Sequence, residues 1–328
     1  MQRLFMSLVL GLMLWAQIQP SRSFAQTAES DKVIVSFPAP TITTLPFDVA
    51  VDKGFFKGEG FEVLRLLLRS GPTAVQALVS GSTQFSTAFG AGTRAAMAGA
   101  PVKGLLSFSD KPTFSLYARK ESGVSSGRDL KNKKIAVTSL GSSTDFAART
   151  ILTHYKLDPD KDATILAVGA ENIFPALTGG SVDAAVLWPP IFAQAEKLGM
   201  VRVHFLRDLF RLPDTGLVTS DRLINEKPAY VKRFLRATLR GFQYVHDPKN
   251  KTDMVNYLVK NFNLEKDVAE TNYSFMLSNL SQDGRISKAS IDNFIDIARQ
   301  RVKSSETNES LSKKMYAFHL LEEVLKAQ

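Results

Sequence analysis

The run Gly141-Ser142-Ser143-Thr144-Asp145 sets three adjacent hydroxyl side chains where a predicted strand ends and a predicted helix begins. A helix start has N–H groups without intrahelical partners, and its dipole favours negative charge. The run is therefore suited to gripping an anion or an acceptor-rich group. Ser142-x-x-Asp145 also fits a capping box, in which the side chains serve the helix itself. Asp145 brings a negative charge, which favours a zwitterionic, neutral or weakly anionic ligand over a doubly charged one. Capping alone and capping plus ligand contact stand level. A second hydroxyl-rich loop, 41–44, carries Thr43 and Thr44 ahead of Leu45. It reads either as a matching grip or as a solvated loop with an N-cap Thr. Phe89 and Trp188 each fall at the end of a predicted strand, where a ring either stacks on a ligand or fills the core. Gly90 follows the first and Pro189 the second, and Asp214-Thr215-Gly216 reads as the floor of a cleft or as a plain turn.

Groups able to make or break covalent bonds are scarce. The chain has no Cys, which excludes thiolate nucleophiles, disulfides, thiolate metal sites and Cys-directed lipid attachment. Its four histidines, His154, His204, His246 and His319, are scattered, so no His-based metal site is expected. No G-x-S-x-G elbow, Walker loop or His-x-x-x-His pair occurs. Gly90-Ala91-Gly92-Thr93-Arg94-Ala95 fits only the loosest dinucleotide pattern and reads as a small-residue strand end. Basic residues are mostly interspersed with acids, and the densest cluster, 131–134, reads as a surface loop. No nucleic-acid partner, metal or cofactor is expected.

Positioning these residues requires a strand–helix grammar. Val33-Ile34-Val35-Ser36-Phe37 reads as a buried strand, 45–53 as a helix stopped by Gly54, and 61–64 as the start of a second strand. A helix opens at Gly71-Pro72-Thr73, where the missing proline N–H costs nothing, and ends at Gly81; 84–88 is a strand. The grammar restarts with strands at 134–138, 164–168, 182–188 and 201–206, and with helices after 141, at 172–177 and from Pro189-Pro190 to Gly199. Such alternation predicts parallel α/β layers. From Pro228 the pattern turns to long amphipathic helices at 229–245, 251–260, 264–278, 286–302 and 311–326.

The two stretches look duplicated at an offset of about 99 residues. Ala77-Leu78-Val79-Ser80-Gly81-Ser82 falls on Ala176-Leu177-Thr178-Gly179-Gly180-Ser181, Phe89 on Trp188, and Thr43-Thr44-Leu45-Pro46-Phe47 on Ser142-Ser143-Thr144-Asp145-Phe146. In open parallel sheets, ligands bind beyond the carboxyl ends of the strands, so two facing lobes make a cleft.

The 328 residues, 44% hydrophobic and 22% charged, read as an ordinary globular chain of two domains. Residues 1–25 differ from the rest. Arg3 precedes an uncharged apolar run, Pro20 breaks it, and Ser23-Phe24-Ala25 supplies the small residues of a cleavage site. This predicts a cleaved secretory signal peptide and a periplasmic location. Loss of Arg3 and Arg22 takes the net charge from +9 to +7.

On these residues the chain resembles the nitrate/sulfonate/taurine-type substrate-binding proteins of ABC importers. The resemblance rests on Asp52-Lys53-Gly54-Phe55-Phe56-Lys57-Gly58-Glu59-Gly60, on Gly71-Pro72-Thr73-Ala74-Val75-Gln76-Ala77-Leu78 and on Asp129-Leu130-Lys131-Asn132-Lys133-Lys134-Ile135-Ala136-Val137. Gly141-Ser142-Ser143-Thr144 and Val182-Asp183-Ala184-Ala185-Val186 complete it, over roughly 32–245. It implies an α/β, type II periplasmic-binding-protein fold. One lobe is formed by 26–115 plus 217–328, the other by 116–216, and the hinge lies near 113–118 and 212–220. It also implies a monomeric, non-enzymatic receptor that captures a small organic or anionic solute and delivers it to an inner-membrane ABC permease with its ATPase. Ser142, Ser143 and Thr144 would grip the anionic group. Sulfonate binders tend to have His or another non-acidic residue where this chain has Asp145, which argues against an alkanesulfonate or nitrate. Two alternatives remain: an enzyme like the pyrimidine-precursor synthases on this fold, which depend on a Cys-rich motif, and a ligand sensor for a membrane signalling protein.

Overall fold

The computed structural model describes residues 30–328 apart from Asp214 and Lys303, and the side chains of 300–302 are left out. The predicted signal peptide lies outside the described residues. Ten strands are described: β1 (Asp31–Phe37), β2 (Phe61–Leu67), β3 (Phe85–Ser86), β4 (Val102–Ser107), β5 (Ser115–Ala118), β6 (Lys134–Val137), β7 (Thr164–Ala167), β8 (Ala184–Leu187), β9 (Val201–Phe205) and β10 (Gly216–Ser220). They form two five-stranded sheets, in the orders β2-β1-β3-β10-β4 and β7-β6-β8-β5-β9. The orders are equivalent position by position, so the 99-residue offset has a topological counterpart: β1 corresponds to β6, β2 to β7 and β3 to β8.

The expectation of parallel layers holds for β1–β3 and β6–β8 and fails for the fourth strand of each sheet. β10 runs antiparallel to β3 and β4, and β5 runs antiparallel to β8 and β9. The cause is topological. Each fourth strand follows a segment that has just crossed from the other sheet (108–114 before β5, 210–215 before β10), so it enters from the opposite end.

Seven helices of the first half to two-thirds of the chain pack on these sheets: α1 (Leu45–Asp52), α2 (Phe55–Gly58), α3 (Gly71–Ser80), α4 (Phe89–Met97), α5 (Ser143–His154), α6 (Ile173–Thr178) and α7 (Ile191–Lys197). Ser70 caps α3 by accepting from the Thr73 N–H, Pro72 sits in its first turn, and Gly81 ends it in the left-handed region (φ 80°). The predicted small-residue strand end at Gly90–Ala95 is instead the body of α4. Its small side chains let β10 approach, since a Cβ on Gly92 would lie 2.8 Å from a Val218 methyl.

The rest of the chain is α8 (Leu206–Leu209), α9 (Asp221–Glu226), α10 (Pro228–His246), α11 (Lys251–Phe262), α12 (Lys266–Asn279), α13 (Lys288–Val302), α14 (Asn308–Met315) and α15 (Phe318–Lys326). The helix expected over 311–326 is thus two helices. Tyr316 bridges to Gly104 on β4, and the Ala317 N–H donates to the Gly104 carbonyl at 2.9 Å, so the sheet edge takes backbone groups the helix would have used. α10 fixes the first lobe. Phe234 stacks on Phe85 with ring centroids 3.7 Å apart, and both rings are fully buried. Burial of such a ring contributes about 1.5–3 kcal/mol. Gly241 lets α10 lie against α1, because a Cβ there would stand 1.9 Å from the Pro46 carbonyl oxygen.

Candidate functional site

A cavity lies between the two sheets, at the carboxyl ends of their parallel strands, where open α/β sheets bind ligands. Pro38 and Ala39 follow β1, Thr87 and Ala88 follow β3, Thr138 follows β6 and Trp188 follows β8; all line it. The starts of helices complete the wall: Thr41, Thr43 and Thr44 ahead of α1, Gly71 of α3, Phe89 and Ala91 of α4, and Ser142, Ser143 and Thr144 of α5. Thr113, Phe114 and Thr215 come from the two crossing segments. About 70 Å³ is open to the centre of a water-sized sphere, several times the ~10–15 Å³ that one water needs. Among the described residues, every polar side chain in this lining is a hydroxyl or the Trp188 indole, and none is ionisable.

The hydroxyls of β6 and α5 form a closed triangle. Thr138 Oγ1 donates to Ser142 Oγ at 3.0 Å, and Thr144 Oγ1 lies 2.9 Å from both. Ser142 Oγ also accepts from the Asp145 N–H at 3.3 Å, and Thr144 Oγ1 accepts from the Thr138 N–H at 2.9 Å. With both lone pairs of Ser142 taken, its proton goes to Thr144, whose own lone pairs are then filled. Thr144 is left with a proton to donate, either to Thr138 or to a ligand. The nearby N-terminal N–H groups of α5 add further donors with positive potential. Thr215 Oγ1 is buried beside the cavity with no partner.

The opposite wall is tied to charge at one remove. Thr44 Oγ1 donates to Asp48 Oδ2 at 2.7 Å, and Arg65 Nη1 reaches Asp48 Oδ1 at 3.2 Å. Burial pushes the Asp48 carboxyl up to about 6, against the lowering effects of Thr44 and Arg65.

The two lobes are closed on each other. Trp188 Nε1 donates to the Pro40 carbonyl at 3.0 Å, and Thr41 Oγ1 donates to the Pro189 carbonyl at 3.3 Å. Further along the seam, Arg94 Nη2 donates to the Gly141 carbonyl at 3.2 Å while its guanidinium lies 4.7 Å from the Phe146 ring centroid.

Of the sequence candidates, Thr43, Thr44, Phe89, Ser142, Ser143, Thr144, Trp188 and Thr215 line the cavity. Leu45 does not: it is core, 1% exposed. Gly90 faces a smaller space with Leu212 and Phe294. Pro189 takes part in the seam through its carbonyl. Gly216 is packed so that a Cβ would stand 2.2 Å from the Leu106 carbonyl. Asp214 lies outside the described residues. Asp145 turns away from the cavity: Oδ1 accepts from Arg149 Nε at 2.6 Å and Oδ2 from the Gly141 N–H at 3.0 Å. Its charge is paired with Arg149, so the argument it offered against an anionic ligand does not apply. The sequence reading missed Pro38, Ala39, Gly71, Thr87, Ala88, Ala91, Thr113, Phe114 and Thr138. Taking the residue after each predicted strand would have found Pro38, whereas Thr87 and Thr138 fall inside the strands predicted at 84–88 and 134–138.

Fold and site together define a two-lobed α/β chain with a cavity between its lobes. Residues 42–251 match the NMT1/THI5-like family, and the chain belongs to that family. A protein of Brucella abortus described as a binding protein is 25% identical over 249 residues, 73% of this chain and 76% of that one. The riboflavin-binding protein RibY of Chloroflexus aurantiacus is 25% identical over 62% of this chain and 58% of its own. Among solved structures, the periplasmic nitrate-binding protein NrtA of Synechocystis matches with a TM-score of 0.73 at 16% identity, over 91% of this chain and 89% of its own. The alkanesulfonate-binding protein SsuA of Xanthomonas axonopodis, bound to MOPS, matches at 0.71 and 16%, over 88% and 99%. These likenesses show the fold, the type II periplasmic-binding-protein arrangement. The desulfurization enzyme DSZB shares it at 0.63 and 15% identity, over 90% and 99%, so the fold alone does not decide between binding and catalysis.

Proposed function

We propose that this chain is a solute receptor that closes its two lobes over a small organic solute carrying an anionic or acceptor-rich head, and delivers it to an ABC permease. The observation that carries the reading is the cavity wall, with donors and aromatic rings and, among the described residues, no ionisable side chain. The head sits at the α5 start, against Thr144 and the free N–H groups; the body lies against Phe89, Phe114 and Trp188. General acid–base catalysis needs a group that titrates near the working pH, and nucleophilic catalysis by Ser or Thr needs an adjacent base. Among the described residues no lining side chain titrates, and the carboxylate behind Thr44, Asp48, is paired with Arg65, which favours a receptor over an enzyme. The crossing segments 108–114 and 210–215 act as the hinge, and closure forms the Trp188–Pro40 and Thr41–Pro189 contacts. The binding-protein names of the relatives support capture, and the kinds of structure the fold resembles support a periplasmic location and a permease partner.

The test is a panel of small carboxylates, sulfonates, nitrate, amino acids, pyrimidines and riboflavin, screened by thermal shift and followed by calorimetry. The reading expects one-to-one binding of a compound that is recovered unchanged. A compound that binds and is released chemically altered would sink it.

A further inference from the structure

A second polar site lies outside the cleft, where the two crossing segments pass between the sheets. A groove of ≈ 380 Å³ is lined by Lys111, Arg207, Asp208, Arg211 and Ser278. Lys111 belongs to the first crossing segment, Arg211 to the second, Arg207 and Asp208 to α8 beside the second sheet, and Ser278 to α12. Three cations face one carboxylate. That carboxylate is poorly engaged, with Asp208 Oδ1 3.9 Å from Arg207 Nε and two-thirds of its side chain exposed.

Arg207 is held in place without a full counter-charge. Its guanidinium stacks 4.0 Å from the Phe205 ring centroid and 5.1 Å from that of Phe275, and Nη1 donates to Asn279 Oδ1 at 3.1 Å. A guanidinium stacked on two rings is preorganised, and its remaining N–H groups keep their planar fork. Partial burial lowers its pKa from the usual arginine value, as expected for a cation short of nearby negative charge. Lys111 is half-buried, whereas Arg211 and Ser278 are exposed. The Lys111 backbone is anchored, its N–H donating to Ser109 Oγ at 3.2 Å and its carbonyl accepting from the same hydroxyl.

We infer that this groove binds a small multivalent oxyanion of the phosphate class, held by Arg207 and Arg211 from one side and Lys111 from the other, while Ser278, whose hydroxyl donates to the Phe275 carbonyl at 2.7 Å, lines its edge. A forked guanidinium suits two oxygens of a tetrahedral anion, and the ammonium supplies a point charge. Because the ligating groups come from both crossing segments and from α12, the anion links the two lobes at the hinge. Its binding is therefore coupled to the lobe arrangement captured here, and the coupling is reciprocal with any solute bound in the cleft.

The experiment titrates the full chain with inorganic phosphate and with pyrophosphate, against chloride at equal ionic strength. It reads the unfolding midpoint and phosphorus-31 line broadening. The expected result is a saturable rise in the midpoint, larger for pyrophosphate, and saturable broadening. Both should be lost in Lys111→Ala/Arg211→Ala, whose substituted side chains lie away from the cores, and weakened in Arg207→Lys, which keeps the charge but not the fork. Both should persist in the cleft variant Thr144→Val. No saturable response to either anion would overturn the proposal. So would an undiminished response in the double variant, or a response abolished by Thr144→Val, which would place the anion in the cleft.

Discussion

Replacing Thr144 by Val keeps the side-chain shape and removes the oxygen that closes the hydroxyl triangle. Three contacts at 2.9 Å disappear: those to Ser142 Oγ, to Thr138 Oγ1 and from the Thr138 N–H. The backbone donor matters most for stability, because a largely buried N–H left without an acceptor costs about 1–3 kcal/mol. That corresponds to a drop of a few degrees in the unfolding midpoint for a chain of this size. Binding loses the one proton the triangle can release. A hydrogen bond to a charged acceptor contributes about 1.5–3 kcal/mol, so affinity for an anionic ligand should fall about 10- to 150-fold. Urea unfolding measures the first effect, and calorimetry with the tightest compound of the panel measures the second. Thr150→Val is the control. Thr150 lies on the same helix but donates only to the Phe146 carbonyl at 2.7 Å, so affinity should not change. Unchanged affinity in Thr144→Val, with an anionic compound bound, would refute the donor assignment.

Three other perturbations follow from the same geometry. Arg149→Met leaves the Asp145 carboxylate, 8% exposed in its side chain, without its cation; unfolding should become easier by about 3 kcal/mol while ligand affinity changes less than threefold, checked by urea titration and calorimetry. The raised Asp48 pKa means that the folded state holds its proton more tightly, so stability falls as pH rises from about 4 to about 6. Across that window, wild type should lose about 1–3 kcal/mol relative to Asp48→Asn, read as the difference between their urea curves. Gly241→Ala forces a methyl against the Pro46 carbonyl, and should lower stability by more than about 3 kcal/mol by thermal unfolding.

The sequence shows most of the fold and part of the site. Strands β1, β6 and β8 were legible because their apolar, β-branched or small residues are bounded by turns, α3 because Pro72 opens it and Gly81 ends it, and α5 because Ser142 caps it. The antiparallel β5 and β10 were not legible, because strand direction depends on which sheet the preceding segment leaves. The helix α4 escaped because its small residues answer to Val218 on a distant strand. The break between α14 and α15 escaped because Gly104 on β4 causes it. At the site, Ser142, Thr144 and Trp188 were legible from chain position. Asp145 was ambiguous, since only the direction of its side chain shows that Arg149, one turn on, takes its charge. Thr87, Thr113 and Thr138 look like any threonine until the two sheets face each other.

The central claim is that a solute enters this cavity and the lobes close on it. Because the chain has no Cys, spin labels can be placed uniquely at Gln76→Cys on α3 and Leu140→Cys ahead of α5, both exposed beside the seam on opposite lobes. Titration with the tightest compound should bring the labels together, with dipolar broadening that saturates at the calorimetric one-to-one point. Saturated binding with an unchanged label separation would contradict the account.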